Sequence, residues 1–210
     1  MDYKYKFSVV IPVYNVEGYL AETLDSVIRQ SIGFENNIQI ILVNDGSPDD
    51  SEKICLEYAK KYPDNILYLK QENKGVSAAR NYGMQYVEGK YVNFLDSDDK
   101  WTSGSFQAVY DFFEKRRDKI DLVACPQKFF EARDDYHWLF FKYEQGSRII
   151  DVLEKYNYVQ MHVTASFVKA EVLKTHRFDE KLKFAEDSKF VNSIILDKLK
   201  YGVVADALHL

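Results

Sequence analysis

The sequence lacks several features that would assign a protein to a class at once. It has two cysteines, Cys55 and Cys125, without a CxxC spacing, and we expect both to be reduced and structural. Its net charge is −5, so no basic field indicates nucleic-acid binding. No apolar run approaches the roughly 20 residues of a membrane-spanning helix. The start, MDYKYKF, is too polar for a signal peptide, so we expect a cytoplasmic protein.

The residues that are present favour one globular domain. Hydrophobic residues make up 46% of the chain and charged residues 29%, a balance that can bury a core. Aromatic residues make up 15%, with 16 tyrosines, and a tyrosine can stack on a flat ring while donating a hydrogen bond. We find no repeats and no low-complexity segment, and we expect residues 1–210 to form a single domain.

The first hundred residues alternate between strand and helix patterns. Apolar runs predict strands at Phe7–Val13, Ile38–Val43, Ile66–Lys70 and Tyr91–Leu95. Helices are predicted from about Val16, from Ser47 or Pro48 to Tyr62, and from Lys74 to Val87. The strands are almost continuously apolar, as in parallel strands covered on both faces. We therefore predict an α/β fold with an open, mostly parallel sheet flanked by helices.

After about Pro126 this alternation ends. The segment KFFEARDDYHWLFFKYEQGS mixes aromatic and charged residues without a period, and we expect irregular structure or a short hairpin there. Within it, YHWLFFKY leaves open a peripheral contact with a membrane or a lipid-linked acceptor, although such runs more often pack on their own domain. Beyond it we predict a helix at 148–156, a strand at 162–168 and a helix at 187–199.

Three carboxylates follow the fourth predicted strand, at Asp96, Asp98 and Asp99. Oxygen ligands without His or Cys suit Mg²⁺, Mn²⁺ or Ca²⁺, with diphosphate oxygens and water completing the coordination. An EF-hand is excluded, because counting from Asp96 its sixth position is Trp101 rather than Gly. The alternative is a solvated turn whose aspartates cap the next helix. We favour the cation site, because ligands of open α/β sheets bind at the carboxyl ends of the strands.

A dinucleotide-binding site is a competing interpretation of Asp45, which follows the second predicted strand. The first turn argues against it, because PVYNVEG contains no GxGxxG that would bring the backbone against a pyrophosphate. The chain also has no Walker A lysine loop. Phosphates bound here would therefore need the cation that the aspartates can hold.

Four motifs in order resemble glycosyltransferase family 2, the inverting nucleotide-sugar transferases of GT-A fold. They are VVIPVYNVEGYL, ILVNDGSPDDS, QENKGVSAARNYGM and YVNFLDSDD. The resemblance implies a nucleotide-sugar-binding half at 1–100 and an acceptor-binding half at 101–210. It further implies transfer of a hexosyl or N-acetylhexosaminyl group from a UDP-sugar, with Mn²⁺ or Mg²⁺, to a hydroxyl of a glycan, polymer or lipid-linked acceptor, as in the synthesis of cell-surface polysaccharides.

The resemblance also assigns roles to single residues. Pro12 and Tyr14 would line the base pocket, with Glu17 beside it, and Asp45 would bind the uracil ring. The remaining donor and metal positions are Asn73 and Arg80 for the nucleoside or its phosphates, Asp96 and Ser97 for the nucleotide-sugar, and Asp98 with Asp96 for the metal. Asp45 and Arg80 also have structural interpretations, as a turn residue and as an exposed helix residue.

The general base is assigned through the segment KFAEDSKF, which matches the ED motif of the family. Asp187 would take the proton of the acceptor hydroxyl, and Glu186 is a weaker candidate or an acceptor-binding residue. Acids at a helix start also serve as caps, so a purely structural role stays open. For His209 the sequence leaves open a contact with metal or phosphate, and for His162 a structural role is expected.

Two other function classes stay open. One is a non-catalytic nucleotide-sugar-binding module of a larger polysaccharide-synthesising protein. The other is a nucleotidyltransferase, which would want a glycine- and arginine-rich loop that PVYNVEG lacks. The final residues, YGVVADALHL, are apolar and have no polar tail, so we expect the chain to be cut from a longer one. The sugar, the acceptor and the oligomeric state are not readable from the sequence.

Overall fold

The fold is described from a computed structural model that covers residues 2–116, 118–128, 146–154 and 162–210. Its strands are β1 Tyr5–Val13, β2 Ile38–Asn44, β3 Ile66–Lys70, β4 Gly89–Phe94, β5 Leu122–Ala124, β6 Arg148–Asp151, β7 Ser166–Lys169 and β8 Lys200–Val203. Its helices are α1 Leu20–Ile28, α2 Phe34–Asn37, α3 Ser51–Lys61, α4 Val76–Met84, α5 Ser105–Lys115 and α6 Glu186–Lys198. A 3-10 helix, Ala170–Lys174, follows β7.

The strands form one eight-stranded sheet in the order β3-β2-β1-β4-β7-β5-β8-β6. The first four strands are parallel, with Val10 of β1 opposite Ile41 of β2 and Phe94 of β4. Strand β7 runs antiparallel to both β4 and β5, and β6 runs antiparallel to β8. The parallel half therefore brings the carboxyl ends of β1, β2 and β4 to one edge, as expected for an open α/β sheet.

Two hydrophobic cores cover the two faces of the sheet. Strand side chains alternate between them, so that Val9 packs on one face and Val10 on the other. The first core contains buried residues of α1, α3 and α5, and the second contains those of α4 and α6. Both faces are thus covered by helices, which explains the continuous apolar runs of the parallel strands.

The predictions for the first hundred residues are largely confirmed, although helices α1, α3 and α4 begin two to four residues later than expected. The predicted helix at 148–156 is wrong, because Arg148–Asp151 pairs as a strand with β8. The predicted strand at 162–168 begins only at Ser166, and α5 and β5 were not predicted. Both cysteines are buried and form no disulfide within the described residues, whereas their redox state stays a prediction. The expected irregular segment, including YHWLFFKY, lies almost wholly outside the described residues.

Within the described part of the chain, no helix has the length and apolar character needed to cross a bilayer.

Candidate functional site

A cleft of about 470 Å³ opens at the carboxyl ends of β1, β2 and β4. The predicted site residues line this strand-end cleft, except Glu17 and Asp187. Its lining residues are Pro12, Val13, Tyr14, Asp45, Asn73, Gly75, Val76, Arg80, Asp96, Ser97, Asp98 and Glu186. The topology therefore brings the loops predicted from sequence to one place, together with the start of α6, which lies at least 88 residues further along the chain.

The acidic loop, Asp96 to Asp99, lies at the edge of this cleft. Asp98 is exposed, whereas Asp96 and Asp99 are half-buried. Partial loss of water, followed by the charges of Asp99 and Asp96, raises the pKa of the Asp98 carboxyl. No cationic side chain of the described residues forms an ion pair with Asp98. Asp98 is therefore a carboxylate with nearby negative charge and room for an external cation.

Arg80 supplies the positive charge that pairs with Asp96, the first aspartate of the acidic loop. Its guanidinium donates to Asp96 Oδ1 at 2.7 Å and to Glu186 Oε1 at 3.1 Å. The Arg80 side chain is only 4% exposed, and it lies over the Phe178 ring at 5.2 Å from the centroid. Its Nε finds no hydrogen-bond partner among the described residues. Arg80 is thus a buried bridge between the acidic loop and the start of α6, rather than an exposed helix residue.

Asp45 holds the loop that precedes α4. Its Oδ1 accepts hydrogen bonds from Gln71 Nε2 at 2.7 Å and from the Lys74 backbone N–H at 2.8 Å, and its Oδ2 accepts one from the Gly75 N–H at 2.8 Å. Gly75 has a φ of 91°, which favours glycine at this position. Oδ2 retains capacity for a second donor, so Asp45 can both shape the cleft and accept a hydrogen bond from a ligand.

Glu17 lies outside the cleft and fastens two loops together. Its Oε2 accepts the Asp50 N–H at 2.8 Å, and its own N–H donates to Asp49 Oδ2 at 2.9 Å. The neighbouring Tyr14 remains 49% exposed at the cleft, where its ring is free to stack on a ligand. In this structure Glu17 supports the loop that presents Tyr14.

The two acids that begin α6 face different partners. Glu186 is held by Arg80, whereas Asp187 Oδ1 accepts the N–H of Ser188 at 2.7 Å. Asp187 Oδ2 lies 3.9 Å from Nδ1 of His162, whose side chain is about half exposed. Ala185, just before the helix, has a φ of 59°, a left-handed conformation that is uncommon for alanine. Of the two acids, Asp187 keeps the carboxylate that is not engaged by a guanidinium.

His209 is buried behind the acidic loop. Its Nε2 lies 3.2 Å from Asp99 Oδ2 and 3.0 Å from Thr164 Oγ1, and its Nδ1 lies 3.4 Å from Gln127 Nε2. These contacts are with protein groups, and a contact of His209 with metal or phosphate stays an untested prediction. Thr164 was not predicted, and neither were Val13, Gly75 and Val76 in the cleft lining. Val13, Gly75 and Val76 lie within the motifs, which was their only signal, whereas Thr164 had no signal in the sequence.

The donor set of the acidic loop fits a hard divalent cation. Asp98 and the second oxygen of Asp96 offer only carboxylate ligands, which Mg²⁺ and Mn²⁺ accept. The described residues contain no cluster of three His, Cys, Asp or Glu side chains that could hold a metal ion. A cation here would therefore take its remaining ligands from water or from the phosphates of a bound molecule.

Comparison with known proteins gives concordant matches. A sequence profile described as glycosyl transferase family 2 matches residues 8–177. The chain is 51% identical over 208 residues to the minor teichoic acid biosynthesis protein GgaB of Bacillus subtilis. This match covers 99% of this chain and 23% of the relative. The chain is 40% identical to GgaA of the same organism, covering 97% of this chain and 46% of the relative. The chain thus spans half or less of the length of these relatives.

A solved structure with the same fold is that of S. aureus TarS residues 1–349 in complex with UDP-GlcNAc. It superimposes with a TM-score of 0.84 at 25% sequence identity, over 97% of this chain and 58% of that one.

Proposed function

We propose, for a chain that belongs to glycosyltransferase family 2 and has the GT-A fold of that family, a metal-assisted, inverting sugar transfer from a UDP-sugar to an acceptor hydroxyl. The observation that carries this proposal is the strand-end cleft. It combines an acidic loop, a nucleotide-sized pocket and the start of α6, and Arg80 bridges the acidic loop and the start of α6. Donor, cation and base would therefore meet at one edge of the sheet.

The proposed donor is a UDP-sugar, with the nucleotide bound by the loops after β1, β2 and β3. In this assignment Tyr14 stacks on the base beside Pro12, and Asp45 accepts a hydrogen bond from the uracil ring. The proposed positions along the ribose and phosphates are Asn73, Arg80, Asp96 and Ser97. The likeness to a protein solved with UDP-GlcNAc supports this donor class, although it leaves the sugar itself undefined.

We assign the cation to Asp98 and Asp96, whose oxygen ligands suit Mn²⁺ or Mg²⁺. A divalent cation bound there neutralises charge on the departing diphosphate. The raised pKa of Asp98, caused by partial burial and the neighbouring carboxylates, fits a ligand whose charged form is favoured by such a cation.

The proposed reaction is one displacement. The acceptor oxygen forms a bond to the anomeric carbon while the bond from that carbon to the diphosphate oxygen breaks, and UDP leaves with the electron pair. Asp187 takes the proton of the acceptor hydroxyl, because a neutral hydroxyl is a weak nucleophile. A single attack from the opposite face inverts the anomeric configuration. Glu186 holds Arg80 in this scheme and leaves proton transfer to Asp187.

The proposed acceptor is a hydroxyl of a glycan, a polymer or a lipid-linked acceptor of the cell surface. Two relatives are described as minor teichoic acid biosynthesis proteins, which supports an acceptor of this kind. We further propose that the chain works as one domain in the cytoplasm, where UDP-sugars are made, with peripheral contact at the inner face of the membrane. The competing proposal is a non-catalytic nucleotide-sugar-binding module within a longer protein.

A donor screen separates these two proposals. The chain would be mixed with a panel of UDP-hexoses and UDP-N-acetylhexosamines in Mn²⁺ or in chelator, and UDP release would be measured with and without a teichoic acid acceptor. We expect one donor to release UDP in a cation-dependent manner, faster with acceptor. Tight UDP-sugar binding without any release across the panel would favour the binding module.

A further inference from the structure

Three residues distant in sequence meet behind the acidic loop. Asp99, Thr164 and His209 form a hydrogen-bonded triad in which the Thr164 hydroxyl donates to Asp99 Oδ2 at 3.0 Å. His209 Nε2 lies 3.0 Å from the same hydroxyl and 3.2 Å from the same carboxylate oxygen. Thr164 and His209 are both buried, so these contacts replace water that the groups would otherwise bind.

The triad holds both sides of Asp98. On one side the Asp96 backbone N–H lies 3.4 Å from Thr164 Oγ1, a long hydrogen bond, and on the other side the Asp99 carboxylate is fixed directly. The Asp99 N–H also donates to the Asp96 carbonyl at 3.1 Å, which closes the turn around Asp98. Asp98 itself makes no contact with the triad residues among the hydrogen bonds described above. The triad therefore constrains where Asp98 points without engaging its carboxylate.

His209 is itself locked in place. Its side chain is 3% exposed, and the ring lies edge-on to Trp101, with ring centroids 5.0 Å apart. When Gln127 donates to Nδ1, the ring proton is on Nε2, where it faces Asp99 and Thr164. The neighbouring backbone pairs with both flanking segments, since the His209 N–H donates to the Pro126 carbonyl and Leu210 exchanges two hydrogen bonds of 2.7 Å with Lys100.

We propose that His209 and Thr164 are positioning residues, which hold the acidic loop in the shape that accepts a divalent cation and a nucleoside diphosphate. This inference rests on the proposed function, because it takes Asp98 as the cation ligand. His209 acts on the cation through Asp99 and the loop, not as a ligand. Supporting residues of this kind change metal affinity by about 10- to 100-fold when they are removed.

The test uses paired variants of the whole chain. His209→Leu and Thr164→Val remove the donor or hydroxyl, whereas His209→Gln and Thr164→Ser keep one near the same place. Binding of Mn²⁺ in the presence of UDP is measured from the free Mn²⁺ signal in electron paramagnetic resonance, beside calorimetric titration of UDP. We expect about tenfold or more weaker Mn²⁺ binding in the Leu and Val variants, with affinity largely restored in the Gln and Ser variants.

Thermal unfolding of the same variants separates positioning from loss of structure, because a restored melting temperature without restored Mn²⁺ affinity contradicts the proposal. Wild-type affinity in all four variants also overturns it. If both His209 variants lose Mn²⁺ affinity while Thr164→Val keeps the wild-type affinity, His209 is a direct ligand and the positioning role is overturned. Should His209→Leu fail to fold, the Thr164 pair decides. A wild-type chain that binds Mn²⁺ and UDP but transfers no sugar contradicts the proposed function and leaves this comparison intact.

Discussion

The charges of single residues determine where the strand-end cleft can bind a cation. Asp96 is neutralised by Arg80 at 2.7 Å and Asp99 lies against His209 at 3.2 Å, whereas Asp98 projects from the same loop without an ion-pair partner among the described residues. Three carboxylates within four residues are tolerated because two of them have partners. Asp98, the third carboxylate, is then the position where an added cation is stabilised most.

Substituting Asp98 tests this position. In Asp98→Ala, UDP affinity in Mn²⁺ should fall to the value measured in chelator, because the cation loses its most accessible ligand. Calorimetric titration of UDP with and without Mn²⁺ measures both values. Asp118→Ala, which removes an exposed carboxylate in the turn before β5, should keep the cation dependence of the wild type. An unchanged affinity in Asp98→Ala would remove the basis for the metal assignment.

Substituting Asp187 separates binding from chemistry. Asp187→Asn should keep the affinity for UDP-sugar and lose about 100-fold or more of the transfer rate, because an amide cannot accept the proton of the acceptor. Single-turnover transfer and donor titration give the two quantities. Ser188→Ala, at the next position, should transfer at the wild-type rate. Near-full turnover in Asp187→Asn would show that Asp187 has only a structural role at the start of α6.

The elements of the parallel half were predictable because each is defined by local sequence. Strands β1 to β4 are continuous apolar runs, and the loops after them carry the motifs. Strand β6 was predicted as helix because the partner that makes it a strand, β8, begins 49 residues after β6 ends. Pairing at such a distance overrides local preference. Strand β5 and the approach of α6 to Arg80 were not predicted for the same reason.

Close packing of α4 on the sheet positions Arg80. At Gly83 an added Cβ would lie 2.6 Å from Val10 Cγ1 and 3.1 Å from Val43 Cγ2. Helix α4 therefore packs closer to the sheet than a side chain at position 83 would allow. Gly83→Ala should therefore lower the free energy of unfolding by about 1–3 kcal/mol, through overpacking, and weaken UDP binding as Arg80 shifts. Urea unfolding and UDP titration measure these effects.

Gly18→Ala is the matched control for stability, because an added Cβ there meets nothing within 4 Å and its φ lies outside the left-handed region. Its free energy of unfolding should change by less than about 0.5 kcal/mol. Equal stability of the two alanine variants would contradict the packing explanation.

For the whole molecule, a partly buried ionic cluster joins the second half of the sheet to α6: Asp121 and Lys169 are buried, whereas Lys198 is exposed. Asp121 Oδ1, beside β5, accepts bonds from Lys169 at 3.0 Å and Lys198 at 2.8 Å. Burial opposes ionisation of Asp121, but the two ammonium groups outweigh it and hold the pKa of that carboxyl below its usual value. The ionised cluster therefore stabilises the fold above the unfolded pKa of about 3.9, and this stabilisation is lost as the pH falls through the lower folded pKa.

Asp121→Asn should lower the free energy of unfolding by about 2 kcal/mol at pH 7, because Lys169 loses its carboxylate partner at 3.0 Å and keeps Glu171 at 3.8 Å. The difference from the wild type should shrink between about pH 5 and pH 2, as the wild-type carboxyl becomes protonated. Urea unfolding at a series of pH values measures it, with Asp118→Asn as an exposed control. A difference that stays constant down to pH 2 would contradict the charge-based explanation.

At the same scale, the fold class and the family were predictable because four motifs lie in order along the first hundred residues, and both predictions are confirmed. The roles of the site residues stay predictions. The Arg80 bridge to Glu186 and the triad behind the acidic loop join residues 106, 65 and 45 positions apart, and no local pattern encodes such contacts.

The anomeric configuration of the first product distinguishes an inverting transfer from a UDP-sugar from a retaining one. The chain would be incubated with α-linked UDP-sugars and Mn²⁺, and time-resolved proton NMR would identify the sugar released to water before its anomers equilibrate. Asp187→Asn serves as the blank. Single displacement predicts that the β-anomer appears first and that chelator abolishes its release. Release of the α-anomer first, or a UDP-sugar panel that stays intact with the folded wild-type chain, would contradict inverting transfer by this chain.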